Sequence, residues 1–444
     1  MIKTLRRYYW LTQKFVSRHF RLILKTTAIA LALSLLAVFF IRYLPAPRQT
    51  TRIGLVGKFT FETLPLSIQQ LVSTGLVTID NQGEPQPSLA KSWEIKNDGK
   101  TYLFTLNTDL KWHDRSSLKP SDITYNFREV TVRTDENTIT FDLKEPFAPF
   151  FNAVTRPILK HSKLGTGEFL IANAKSNSGV LQTLTLTSTT QKLIYKFFPT
   201  ETSALMAYKL GDVDRLNNIS YLPPEINEEK TNIIEPNNDS SRIAVVFFNN
   251  NDVLLSSKTT RQGLAYAIKN KDFDHTRALS PIQKESWAYN PLVKAYDFDS
   301  EKAVTLFSTD VQDRALTKLE LKTTLQYLDV AEEIAANWRE VLGIEVNVKV
   351  VTNIESDYQA LLADYAPPVD PDQYTIWHST QSTNFTHYSN LKVDKLLEDG
   401  RRTLDKKLRL ELYQDFQRFL LEDCPAVFLY NTSGFDLYRK PLFQ

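Results

Sequence analysis

Residues Thr26–Leu44 read TTAIALALSLLAVFFIRYL, nineteen residues interrupted by a single charge, Arg42. At ~1.5 Å per residue, a helix of this length spans roughly the ~30 Å hydrocarbon layer of a bilayer. Arg42 stands two residues from the end of the run, where its aliphatic stem can carry the charge out to the headgroups. Lys3, Arg6, Arg7, Lys14, Arg18, Arg21 and Lys25 precede it, and residues 1–44 contain no acid. A basic flank of this kind stays in the cytoplasm by the positive-inside rule. The reading is one transmembrane signal anchor at 26–44, a cytoplasmic basic segment at 1–25, a linker at 45–52 and a large body outside the cytoplasm. A cleaved leader would have a shorter apolar stretch followed by a small-residue cleavage site. A buried core helix is the other alternative, set against apolar residues that run round the whole circumference beside a basic flank.

The body is too long for one core, since domains close at roughly 50–250 residues, and the chain has 444. Setting aside the eight cations of residues 1–44 leaves about six more acids than bases in the rest. A weakly acidic body argues against nucleic-acid binding, which needs basic charge on the folded surface. Cys424 is the only cysteine, so neither an intrachain disulfide nor a thiolate metal cluster can form. Its setting, EDCPAV, reads as a packed core thiol.

Beyond the linker, strand and helix patterns alternate. Tyr102, Phe104 and Leu106 occupy every second position, as do Ile139, Phe141 and Leu143, and Ile344, Val346, Val348 and Val350. Period two reads as half-buried strand. Ile243–Phe248 is continuously apolar, as in a strand covered on both faces. Val330, Ile334, Trp338 and Val341 follow helical spacing after a capping-box-like Asp329 and Glu332, with Gly343 as the stop. Leu408, Leu412, Phe416, Phe419 and Leu420 make a second apolar stripe. The class is mixed α/β.

Chemistry is harder to find. The chain has no phosphate-binding GxxxxGK[ST] loop and no GxSxG nucleophile elbow. Gly165-Thr-Gly167 begins like a dinucleotide fingerprint, but position 170 is Leu, and a backbone turn is the simpler reading. His378 and His387 lack the spacing of a zinc site. Asp364, Asp370 and Asp372 could pair for acid–base work or bind Ca²⁺. Pro367, Pro368 and Pro371 among them read first as a rigid turn carrying solvated acids. A hydrolase needs a nucleophile–base pair or a metal, and neither is visible. The residues point to binding.

Several segments resemble family 5 extracellular solute-binding proteins, the peptide, dipeptide and nickel binders of ABC importers. The first is LVSTGLVTIDNQGEPQPSLAKSWEIKNDGKTYLFTLNTDLKWHD (Leu71–Asp114), followed by the helix-like LKPSDITYNF (Leu118–Phe127). ITFDLKEPFAPFF (Ile139–Phe151), GTGEFLI (Gly165–Ile171) and TTRQGLAYAIKNKDF (Thr259–Phe273) continue in order. DPDQYTIWHS (Asp370–Ser379) and Phe385–Tyr430 carry the likeness almost to the end. The resemblance implies a two-lobed periplasmic-binding-protein-like fold of type II. The first lobe would span 53–242, with an extra subdomain at about 76–160; the second would span 243–422, with a return to the first at 423–444.

The same resemblance implies capture of a peptide or other small solute and delivery to ABC permease subunits, as a monomer without cofactor, metal or enzymatic activity. In peptide binders of the family, an Asp in an ADY-like stretch pairs with the ligand's ammonium, and LLADY puts Asp364 there. Tyr365, Tyr374 and Trp377 are the candidate pocket aromatics, with core packing the other role open to Trp377. The WHD triplet, Trp112–Asp114, is implied to be structural. The chain also departs from the pattern. Phe127–Thr138 is short where the family carries an insert, NAKSNSGVLQTLTL replaces an aromatic-glycine segment, and Ser280–Asn290 is compressed. These pieces edge the cleft, so a membrane-anchored sensor or surface-interaction module of the same fold is the alternative function.

Overall fold

The computed structural model describes residues 2–41, 48–80, 82–161, 163–220, 222–227, 231–237, 242–311, 316–351, 357–432 and 434–440. Two compact units result, one of residues 1–49 with 189–191 and one of the remainder. The first is dominated by a single helix, Ile2–Ile41. The apolar segment expected at 26–44 enters this helix, and residues 42–47 lie outside the described residues. Among the described residues, no helix is long and apolar enough to cross a membrane.

In the second unit the apolar hexapeptide Ile243–Phe248 is a strand with all six residues buried. Alternate side chains enter two cores: Ala244, Val246 and Phe248 join one, and Ile243, Val245 and Phe247 the other. Period two sends neighbours to opposite faces, so a strand covered on both sides must be apolar throughout. Among the described residues its sheet runs in the order Glu345–Val350, Lys318–Thr323, Ala360–Tyr365, Ile243–Phe248, Ala426–Asn431. Helix Leu328–Leu342 covers one face through Ala331, Ile334, Ala335, Trp338 and Leu342. It ends at Gly343, whose φ of 68° is the left-handed conformation anticipated for it. Its first turn differs from expectation, because the helix begins at Leu328 and Asp329 lies inside it. Helices Leu391–Arg402 and Lys406–Asp423 cover the other face. Cys424 ends the latter in a left-handed conformation, fully buried, and burial pushes its thiol up to about 11.

The other large sheet orders Asn232–Asn237, Gly434–Arg439, Arg215–Ile219, Gln49–Val56, Gln191–Phe198, Val180–Thr187 and Leu170–Asn177. A four-stranded antiparallel sheet, Ala90–Lys96, Thr101–Leu106, Thr138–Leu143 and Val130–Thr134, forms the subdomain around Tyr102, Phe104, Phe141 and Phe150. Strand Ala426–Asn431 pairs with Ile243–Phe248 in the five-stranded sheet, and Gly434–Arg439 lies in the seven-stranded one. The helix-like segment Leu118–Phe127 contains only a 3-10 turn, Pro120–Asp122.

The WHD triplet is wired into this frame. Trp112 is buried and its indole N–H donates to Asp122 Oδ2 at 2.9 Å. His113 Nδ1 accepts from the Gly165 N–H at 3.1 Å, so its Nε2 carries the proton toward the Gly167 carbonyl at 2.9 Å. The Gly165-Thr-Gly167 turn is thereby clamped to the end of helix Leu66–Val72, where Gly167 N–H donates to the Val72 carbonyl at 2.9 Å.

Candidate functional site

Strands Lys318–Thr323 and Ala360–Tyr365 run parallel, and Ile243–Phe248 runs antiparallel to both Ala360–Tyr365 and Ala426–Asn431. Three carboxyl ends therefore meet the amino end of Ile243–Phe248 at one edge of the sheet. This is the edge at which open α/β sheets usually hold ligands. Ala244 pairs with Asp364 on one side and Tyr430 on the other. The three residues form a row across neighbouring strands, with Ala244 fully buried between its larger neighbours.

Asp364 is the charged member of that row, with its side chain 27% exposed. Tyr327, at the start of helix Leu328–Leu342, donates its hydroxyl to Asp364 Oδ1. Gln326 Nε2 donates to Oδ2 at 3.1 Å. Arg242 Nη1 reaches Oδ2 at 3.4 Å from a side chain 54% exposed, a loose ion pair on the solvent side. Burial, and then the Asp364 charge, hold the Tyr327 phenol well above its ordinary value, and the same causes act on Tyr430. Both phenols therefore stay neutral. Tyr430 is stacked on the His275 ring at 4.7 Å between centroids. The result is an anionic, aromatic-walled corner whose Arg242 ion pair is long and largely exposed to water.

The sequence candidates do not converge. Tyr365 follows Asp364 in the strand and so points to the opposite face, where it is 4% exposed and donates its hydroxyl to Gln373 Oε1. Trp377 is fully buried in the same core, its ring near Tyr365 and Phe428 at 6.3 and 6.2 Å. Tyr374 is partly buried, with the Arg401 guanidinium 4.0 Å from its centroid and His378 at 4.2 Å. Gln326, Tyr327, Arg242 and Tyr430 were missed by sequence reasoning. No motif marks them, and each joins Asp364 across a long stretch of chain.

The acids of the proline-rich turn are not solvated. Asp370 pairs with Arg409 at 2.6 Å, both side chains at most 10% exposed. Asp372 pairs with Arg401 at 2.8 Å. Burial holds the Asp372 carboxyl above its ordinary value against the opposing pull of Arg401. Asp370 and Asp372 are thus internal ion-pair partners. Among the described residues, no group of three His, Cys, Asp or Glu side chains is arranged to hold a metal ion.

Comparison with known proteins adds to this geometry. The profile of bacterial extracellular solute-binding proteins, family 5 Middle, matches residues 84–133 and 187–387, more than half of the chain. The chain is 23% identical to the dipeptide-binding protein of Escherichia coli (strain K12) over 457 residues, covering 80% of this chain and 82% of that protein. Its fold is similar to NikZ from Campylobacter jejuni in complex with Ni(L-His), with TM-score 0.75, 22% identity, and coverage of 89% and 94% of the two chains. It is also similar to the oligopeptide-binding protein AppA from Bacillus subtilis in complex with a nonapeptide, with TM-score 0.70, 20% identity, and coverage of 88% and 95%.

Proposed function

Because this chain belongs to the bacterial extracellular solute-binding proteins of family 5, we propose that it captures peptides by their charged amino terminus and delivers them to an ABC permease. It is a solute-binding protein of the importer class and not an enzyme. The observation that carries the peptide reading is Asp364. A partly exposed carboxylate at the ligand edge of the sheet accepts from the neutral donors Tyr327 and Gln326, and its charged partner among the described residues is an exposed arginine at 3.4 Å. An ammonium group can replace that arginine at shorter range, with charge-assisted hydrogen bonds stronger than neutral ones. Relatives that bind a dipeptide or a nonapeptide support this cargo class. In this reading Tyr365 and Trp377 pack beneath the site, and Tyr374 lies in the neighbouring arginine network.

Truncating one partner of a buried charged pair costs about 2–5 kcal/mol, and partial exposure of Asp364 places it at the low end. Asp364→Ala is expected to weaken binding of free-amino-terminal peptides roughly 30-fold. N-acetylated peptides should bind wild type and variant equally weakly. Calorimetric titration of two- to ten-residue peptides measures this, and equal affinity of wild type and variant for free peptides would remove Asp364 from the site.

We further propose that residues 26–44 tether the body to the membrane, with residues 1–25 on the cytoplasmic side. The apolar run and the acid-free basic flank support it. Alkaline carbonate washing of membranes should leave the full chain in the pellet. Release into the supernatant would argue against a spanning anchor.

A further inference from the structure

The first lobe's subdomain touches the second lobe along an extended polar seam. The Ala148 N–H donates to the Arg401 carbonyl at 2.7 Å, a backbone bond between lobes. Asn152 Nδ2, on the short helix Phe150–Ala153, donates to Asp370 Oδ2 at 3.0 Å. Arg402 donates twice to Glu145 Oε2, at 2.7 and 3.1 Å. Lys406 Nζ donates to the Gln82 carbonyl at 2.8 Å and pairs with Glu84. The seam is tight as well as polar. A Cβ on Gly83 would lie 2.7 Å from the Trp287 indole, and one on Gly99 would lie 2.8 Å from Leu404.

None of these groups belongs to the Asp364 corner. The helices that supply Arg401, Arg402, Lys406 and Arg409 cover the face of the sheet opposite Ala244. In a two-lobed binding protein, cargo drives closure only if the lobes gain little from meeting without it, since a ligand shifts an equilibrium by its differential affinity for the two states. Here the lobes supply their own partners. Asp370 is already fixed by Arg409 and offers its remaining oxygen capacity to Asn152. Opening the seam would return a backbone pair, an amide–carboxylate bond and two ion pairs to water.

We infer that this seam is a cargo-independent clasp that holds the subdomain against the second lobe, so that the closed form predominates before any solute binds. Solute then enters and leaves through excursions of the clasp, and solute occupancy changes the lobe separation little. Arg402 and Lys406 set how often the clasp opens, because their ion pairs are its most exposed members, with side chains 49% and 43% exposed.

The test is a spin-label distance measurement on the full chain in lipid nanodiscs, confirmed free of bound solute by native mass spectrometry. Labels go on Lys91→Cys and Glu333→Cys, both exposed, and the fully buried Cys424 does not compete. The cargo-free wild type should show one closed distance. Arg402→Glu with Lys406→Glu should add a longer distance and raise the open fraction at least tenfold. The further exchanges Glu145→Arg and Glu84→Lys should restore the closed distance, which a misfolded variant would not do. A mainly open cargo-free wild type overturns the clasp, whatever the variants do. An unchanged distribution in the reversed variant overturns the roles of Arg402 and Lys406.

Discussion

Asp370→Ala is expected to destabilise the second lobe by about 3–5 kcal/mol, the usual cost of leaving one member of a buried ion pair without its partner. Arg409 would keep the Gly400 carbonyl at 2.8 Å and the Tyr413 hydroxyl at 3.2 Å. Both are neutral, and its side chain is only 8% exposed. Asn152 would lose its acceptor as well. Replacing both charges, Asp370→Leu with Arg409→Met, should recover most of the loss, because an apolar pair avoids the desolvation of two ions. Scanning calorimetry separates these outcomes through the midpoint of the second lobe's transition. A cost below about 1 kcal/mol for Asp370→Ala would return this turn to the class of surface pairs.

Gly165→Ala is the second large effect, with an expected cost at or above the ~3 kcal/mol top of the usual overpacking range. The added Cβ would lie 1.8 Å from the Val72 carbonyl oxygen and 2.9 Å from the Ser73 Cβ. Carbonyl oxygens of a helix end cannot rotate aside as a flexible side chain can. The displacement would also strain the Gly165 N–H bond to His113, loosening the clamp between the WHD segment and helix Leu66–Val72. Gly179→Ala is the control. Its φ is +80° but nothing lies within 4 Å of the new Cβ, so only the left-handed penalty of about 1–2 kcal/mol applies. Calorimetry of the two variants should separate them clearly. Equal losses would mean that close approach at Gly165 does not matter.

Much of the fold was legible because its signals are local. Alternation at Tyr102–Leu106 and Ile139–Leu143 marks strands whose two faces meet different surroundings, and both are strands. The unbroken apolar run Ile243–Phe248 marks a strand between two cores, and both cores are present. The helix stripe ending at Gly343 was readable because 3.6-residue periodicity and a left-handed stop leave traces within a few residues. Leu118–Phe127 was expected to be helical from the resemblance alone, and this chain keeps only the 3-10 turn Pro120–Asp122 there.

The candidate site was legible only in part. Asp364 was singled out by resemblance alone, through the LLADY stretch. Its neighbours Tyr365 and Trp377 looked like pocket aromatics by proximity in sequence, yet the pleat turns Tyr365 into the opposite core, where Trp377 also packs.

By itself, then, the sequence determined the α/β class, the placement of the principal strands and helices, the charge division between residues 1–44 and the body, and the family. All of these depend on composition, short-range period or motif order. Tertiary structure alone decided which groups surround Asp364, that Asp370 and Asp372 are buried arginine partners, and that the lobes share a seam. Those contacts join residues 37 apart for Tyr327 and Asp364, and 218 apart for Asn152 and Asp370. No period or propensity reports such a pairing, because it is set by how the sheets and helices pack once their apolar faces are buried.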